Sequence, residues 1–352
     1  MRNNNQGNYE NRRDLVKGAK KKKKKRLRRL IIIELLVILI LLPVAYLFFQ
    51  LSRIPRQELD LDNIQVNNID LDALDGYRNI AIFGVDSRAN DLKKNTRSDS
   101  IMIASINKKT KDVKICSIYR DTYVYIDGHG YTKLNHAYAY GGPQLAINTI
   151  NKNFDLNITD FVTVNFSAVT NVVDLLGGIT LDIQKDELKH VNNYTRDVAR
   201  INGTEYTYLK KAGKQTVDGT QATAYCRVRY TAGGDFTRAE RQRTVLSQIF
   251  KKAKHSNPFT LAKLANEMIP QIYTSLSNTE MLSLGKDIFF YDIKDQTGFP
   301  FDKTAKKIGG VSYVLAETLS SNVSKLHEFL FNQKDYDPSK TVKGFSSEIA
   351  GR

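Results

Sequence analysis

Residues 222–254, ATAYCRVRYTAGGDFTRAERQRTVLSQIFKKAK, hold five arginines, a glycine pair and a helix start in one continuous unit. Alternation over 222–230 predicts a strand, with Tyr225, Arg227 and Arg229 on one face and Cys226, Val228 and Tyr230 on the other. A turn at Gly233 and Gly234 follows, and Thr237 with Glu240 three residues on predicts a capping box that opens a helix running to about Lys254. On that helix Arg238, Arg241, Gln242, Val245 and Ile249 share one stripe, polar in the first turn and apolar beyond it. The positive end of the helix dipole beside Arg238 and Arg241 suits an anion. An i, i+2 arginine pair on a sheet face is costly to bury without an anionic partner, so the stretch reads as a phosphate site. A solvated helix face, or a set of structural ion pairs, is the competing reading.

Strands and helices alternate outward from this unit. Residues 79–85, 100–106 and 113–119 read as strands, 143–154 and 166–176 as helices, and 179–183 as a strand after the Gly177-Gly178 stop. Helical patterns follow at 260–272, 279–289 and about 311–331. Alternation of this kind predicts a single layered α/β domain with a mixed central sheet flanked by helices, over 78–335, with 336–352 as a C-terminal tail. Cys116 and Cys226 are the only cysteines, too few for a disulfide framework, and are expected as buried free thiols.

Thirteen Lys/Arg against Glu10 and Asp14 put +11 of the chain's formal +16 into residues 1–29. The remaining 323 residues carry only +5, which argues against a nucleic-acid-binding protein. Residues 30–49 are apolar apart from Glu34, long enough at about 1.5 Å per residue to span a bilayer. The expectation is a transmembrane helix behind a cytoplasmic basic tail that rests on anionic membrane lipid, with the rest of the chain outside the cell. An acidic, Asn-rich juxtamembrane linker covers 50–77.

Asp86 closes the first strand and is followed by Arg88, while Asp99 lies in Arg97-Ser98-Asp99-Ser100 before the second. Each alone reads as a turn or a cap. Together with Arg120-Asp121 after the third strand they make a constellation suited to Mg²⁺, which takes few protein oxygens and shares phosphate oxygens with a substrate. The five histidines lack zinc spacing, and there is no G-x-S-x-G, Walker A or G-x-G-x-x-G motif. Asn135, His136, Tyr138 and Tyr140, in LNHAYAYGG, are either a polar, aromatic approach to a binding site or a surface turn.

In order, FGVDSR, RSDS, SIYRDTYV, KLNHAYAYGG, FSAVTNVVDLLGGITLDI and AYCRVRYTAGGDFTRAERQ resemble the LytR-CpsA-Psr family of Gram-positive cell-envelope proteins, over about residues 78–254. The resemblance implies a membrane-anchored phosphotransferase. Its expected donor is a polyprenyl-pyrophosphate-linked glycopolymer (wall teichoic acid, capsular polysaccharide or similar), its acceptor is peptidoglycan, and its product is a phosphodiester. It implies Mg²⁺ or Mn²⁺ on Asp86 and Asp99. It also implies pyrophosphate contacts from Arg120, Arg227, Arg229, Arg238 and Gln242, with Arg88, Arg97 and Asp235 close by. The family's Ser-Ile-Pro-Arg-Asp has Tyr119 here in place of the proline, and the 89–96 loop is rich in Asn and Lys. A hydrolase acting at the same site and a non-catalytic envelope regulator stand as alternatives.

Overall fold

Apolar runs with few solvent-facing positions make the centre of the molecule. The computed structural model describes residues 49, 52–57, 59–85, 92, 93, 96–268 and 271–352. The basic tail and nearly all of the expected transmembrane segment therefore lie outside the described residues, as do Asp86 and Arg88. Among the described residues no helix is long and apolar enough to cross a membrane.

The strands are β1 (Tyr77–Val85), β2 (Ser98–Asn107), β3 (Asp112–Ile118), β4 (Tyr123–Ile126), β5 (Gly130–Lys133), β6 (Asp160–Asn165), β7 (Ile179–Ile183), β8 (Gly213–Val217), β9 (Ile272–Thr274), β10 (Asp292–Phe299), β11 (Lys303–Ile308) and β12 (Val311–Ala316). The helices are α1 (Leu134–Phe154), α2 (Phe166–Leu175), α3 (Lys185–Asn202), α4 (Gly219–Arg227), α5 (Gly234–Lys254), α6 (Pro258–Met268), α7 (Asn278–Lys286), α8 (Leu319–Phe331) and α9 (Lys340–Ala350). All of these belong to one unit, Arg53–Arg352.

Six strands form one sheet in the order β10-β3-β2-β1-β6-β9. It is mixed, as expected: β1 pairs antiparallel with β2 and parallel with β6, and β3 pairs parallel with β10. Side-chain parity divides it into two faces. Ala81, Phe83, Ile101, Ile103, Cys116 and Ile118 face a core shared with α1 and α8. Met102, Ala104, Val113 and Ile115 face Leu246 and Phe250 of α5. A third cluster joins α2, α3, α4, α5 and the antiparallel pair β7–β8, through Val173, Leu181, Val191, Ala222, Cys226 and Val245. Burial pushes both thiols, which are free, up to about 12.

Several expected elements are corrected. Residues 222–227 are not a strand but the body of α4, opened by a capping box in which Asp218 Oδ1 accepts from Gln221 N at 2.8 Å and Asp218 N donates to Gln221 Oε1 at 3.1 Å. Gly219 through Cys226 are all buried, and a helix buried all round shows no amphipathic period to separate it from a strand. The helix α5 starts at Gly234 on a left-handed Gly233, and the Thr237 hydroxyl donates to Ala232 O instead of capping. The 143–154 helix begins earlier, at Leu134, and breaks at Gly141 and Gly142, so that Pro143 starts a second segment where its missing N–H costs nothing. The 260–272 pattern ends as strand β9, an edge partner of β6. The 311–331 pattern is strand β12 followed by α8, because Gly309 and Gly310, both at positive φ, turn β11 back on β12. Residues 336–352 carry α9, whose Val342 and Ile349 enter the main core. Tyr138 of the LNHAYAYGG stretch is fully buried, its hydroxyl 2.9 Å from Thr163 Oγ1, and so belongs to the core.

Candidate functional site

The ends of β1, β2 and β3 meet the N-terminus of α5. Gly84 opposes Ser100 but Val85 opposes Ser98, so Asp99 is the extra residue of a β-bulge, a device that re-aims a side chain. A Cβ on Gly84 would lie 2.9 Å from Ser100 Cβ and 3.5 Å from Phe166 Cζ, so only glycine allows β2 and α2 to close in here.

Arg120, two residues past β3, donates from Nη1 to Asp99 Oδ1 at 2.5 Å and from Nε to Asp235 Oδ2 at 3.0 Å. Arg238 donates from Nη2 to Asp235 Oδ2 at 3.2 Å and to the Asp99 carbonyl at 3.1 Å. Arg229 Nε stands 3.8 Å from Asp235 Oδ1, which makes Asp235 the hub of three guanidinium groups. Arg227 ends α4, and Val228 then turns extended (φ −60°, ψ 126°), which carries the chain on to Arg229. The two arginines therefore meet around a helix C-terminus rather than along one strand face.

Arg227, Arg229 and Arg238 line a recess of about 180 Å³ with Asp99, Gln242, Phe166, Tyr194 and Cys226. A smaller recess beside it is walled by Arg120, Asp235, Arg238, Gln242 and Ser117. The excess of guanidinium over carboxylate has an electrostatic signature. Arg238 is 4% exposed, and its pKa is pushed down to about 10 by burial, with Arg120 and Arg229 adding to the depression and Asp235 opposing it. Its Nε is buried with no partner among the described residues. Burial also disfavours charge on Arg120, but Asp235, Asp99 and Asp121 outweigh it and raise that pKa. An anion in the recess would supply the missing counter-charge to Arg238.

Arg241, expected beside the anion, is instead structural. Its Nε donates to Glu187 Oε1 at 2.8 Å, with both groups buried, while Nη1 and Nη2 hold Val228 O at 3.1 Å and Thr231 Oγ1 at 2.5 Å. It ties the α4–α5 loop to α3. Gln242 Nε2 lies 3.5 Å from the Cys226 carbonyl near the end of α4. Arg97 is exposed and is not among the residues lining either recess. Tyr119, in place of a proline, donates its backbone N–H to Phe299 O at 3.0 Å, a bond proline cannot make, and its ring packs edge-on to Phe236 at 4.6 Å. Glu187, Phe166 and Tyr194 carried no local signal in the sequence, because their place at the site depends on how α2 and α3 pack.

Asp99 is a hard carboxylate on the recess wall whose Oδ1 takes Arg120, and its donor chemistry fits Mg²⁺ or Mn²⁺. Asp86, the expected second ligand, lies outside the described residues.

Fold and site together define a layered α/β domain with an arginine-rich recess at the strand ends. The family model described as the LytR_cpsA_psr family matches residues 52–327, and the chain belongs to that family. It is 35% identical over 177 residues to the polyisoprenyl-teichoic acid–peptidoglycan teichoic acid transferase TagT of Bacillus subtilis (strain 168), covering 50% of this chain and 52% of that one. It is 31% identical over 263 residues to TagU of Enterococcus faecalis (strain ATCC 700802 / V583), a protein of the same description, covering 72% of this chain and 78% of that one. The chain thus spans about half the length of the first relative and over three quarters of the second. The solved structure of the family protein YwtF (TagT) with bound octaprenyl pyrophosphate lipid superposes with a TM-score of 0.57 at 26% identity, over 78% of this chain and 99% of that one.

Proposed function

We propose that this protein is a phosphotransferase that moves a glycopolymer from a polyprenyl-pyrophosphate carrier to a hydroxyl of peptidoglycan. The observation that carries the reading is the gathering of Arg120, Arg227, Arg229 and Arg238 with Asp99 and Asp235 in two adjoining recesses, with the cation of Arg238 disfavoured by burial. A pyrophosphate diester keeps one ionised oxygen on each phosphate and repels an incoming hydroxyl until that charge is neutralised. Guanidinium groups suit the task because each binds two oxygens and stays charged. The names of the relatives and the lipid in the TagT structure support the same donor and acceptor.

In this reading Arg227, Arg229 and Arg238 clamp the pyrophosphate, Gln242 contacts it, and Arg120 orders Asp99 and Asp235. Arg88 would stand close to the pyrophosphate, and Arg97, exposed outside both recesses, would at most approach it from solvent. Asp99, with Asp86, would hold Mg²⁺ or Mn²⁺, which when bound supplies further neutralisation of phosphate charge. The acceptor oxygen attacks the sugar-linked phosphorus, the bond from that phosphorus to the bridging oxygen breaks, and polyprenyl phosphate departs. The hydroxyl proton is lost to solvent. A single-pass anchor over 30–49, with the basic tail in the cytoplasm on anionic lipid, keeps the domain outside and beside the lipid carrier.

The test is transfer by the purified full chain, using a polyprenyl-pyrophosphate glycan and peptidoglycan with Mn²⁺. A glycan–peptidoglycan phosphodiester is expected. Release of free glycan phosphate in its place would identify a hydrolase, and absence of both products would refute phosphoryl transfer.

A further inference from the structure

One aromatic ring on the wall of the recess, and two more close to its lining residues in the chain, take no part in the phosphate chemistry. Tyr194 of α3 lines the recess itself. His190 precedes it by four residues on the same helix face, about 6 Å along the axis, close to the length of one pyranose ring. The His190 ring lies 5.8 Å from that of Tyr230 at an interplanar angle of 34°. Tyr230 follows Arg229 directly and is 74% exposed.

An isolated exposed tyrosine calls for no explanation, but this one is held in place from both sides. Arg241 holds Val228 O and Thr231 Oγ1, which flank it, and the same guanidinium is paired to Glu187, one turn before His190 on α3. A buried ion pair thus fixes the loop bearing Tyr230 to the helix bearing His190 and Tyr194.

Resting on the reading above, we infer that Tyr194, His190 and Tyr230 form an aromatic track for the first sugars of the donor, leading outward from the pyrophosphate. The C–H face of a pyranose lies flat on an aromatic ring, where its slightly positive hydrogens meet the negative π face. The pyrophosphate is charged and the sugars it carries are neutral or weakly apolar on that face. Guanidinium groups lining the recess, with rings beside them and beyond, would therefore match the order of groups along the substrate. The contacts are to ring faces, so the track orients sugar rings without reading individual hydroxyls.

The test measures binding to the full chain in detergent by calorimetry, without acceptor. One probe is geranylgeranyl pyrophosphate, and the other is the same lipid pyrophosphate carrying a chitobiose disaccharide. The wild type is expected to bind the disaccharide probe more tightly than the bare one. Tyr230→Ala and His190→Ala should each weaken the disaccharide probe by about tenfold while changing the bare one less than about twofold, and Tyr230→Phe should keep the advantage. Equal losses on both probes, or none on either, would overturn the track. If the wild type binds the bare probe and gains nothing from the disaccharide, the track fails while the phosphate site stands. Binding of neither probe would remove both.

Discussion

Arg238 should be a residue whose removal costs binding but not stability. A guanidinium whose pKa is pushed down from its ordinary value to about 10 is destabilised as a cation in the folded state. At about 1.4 kcal/mol per pH unit this corresponds to a cost of about 3 kcal/mol, as an order of magnitude. The sign follows from the depressed folded-state value: the cost is fully present at every pH below about 10 and fades only as pH rises from there toward the ordinary arginine value. Replacing a residue this buried would ordinarily lower stability by about 2 to 5 kcal/mol. Arg238→Gln removes the charge and keeps a polar side chain, and Asp235 retains Arg120 and Arg229. The removed cost of about 3 kcal/mol then offsets most of that loss, and the unliganded variant is expected to melt within about 4 °C of the wild type, at roughly 2 °C per kcal/mol for a domain of this size. Inorganic pyrophosphate should raise the melting temperature of the wild type, by linkage, and leave that of Arg238→Gln unmoved. Thermal unfolding of the full chain with and without pyrophosphate reads both quantities. A variant that melts more than about 4 °C lower and still shifts with pyrophosphate would refute the reasoning, since Arg238 would then be a structural cation.

Other consequences can be checked alongside. Arg227→Lys and Arg229→Lys should each lose most transfer activity at nearly unchanged melting temperature, because lysine keeps the charge but not the fork; full activity in both would remove the clamp. Asp99→Ala and Asp86→Ala should each weaken Mn²⁺ binding measured by calorimetry, and unchanged affinity in both would leave them as turn residues. Glu187→Gln strands the buried Arg241 cation and should cost about 3 to 5 kcal/mol in urea unfolding; a loss under about 1 kcal/mol would mean that the pair does not brace the loop. In intact cells a membrane-impermeant thiol reagent should reach a cysteine placed at Ser52 and not one at Asn5, and the opposite pattern would invert the topology.

The residues of the candidate site were legible in the sequence before their arrangement was. Arginine spacing and the strand-end carboxylates point toward an anion without any coordinates, because charge and donor geometry belong to the side chain itself. The central strands were legible for a similar reason. β1, β2 and β3 are apolar runs bounded by charge, and their burial follows from composition alone. The arginine helix was visible through its stripe, although Gly233 rather than Thr237 opens it.

Tertiary structure decided what depends on partners distant in the chain. A segment buried on every side has no period to report, so ATAYCR could not declare itself a helix until α2, α3 and α5 enclosed it. Arg238 and Arg241, three residues apart on one stripe of one helix, were not separated by periodicity or charge, and only the family resemblance singled out Arg238. The fold then set Glu187 against Arg241 and placed Arg238 on the wall of a recess, so one guanidinium became a brace while the other is open to an anion only in the proposed reading. Residue type and spacing determine which charges are available, but only packing over long sequence separations determines which are neutralised and which remain to meet a substrate.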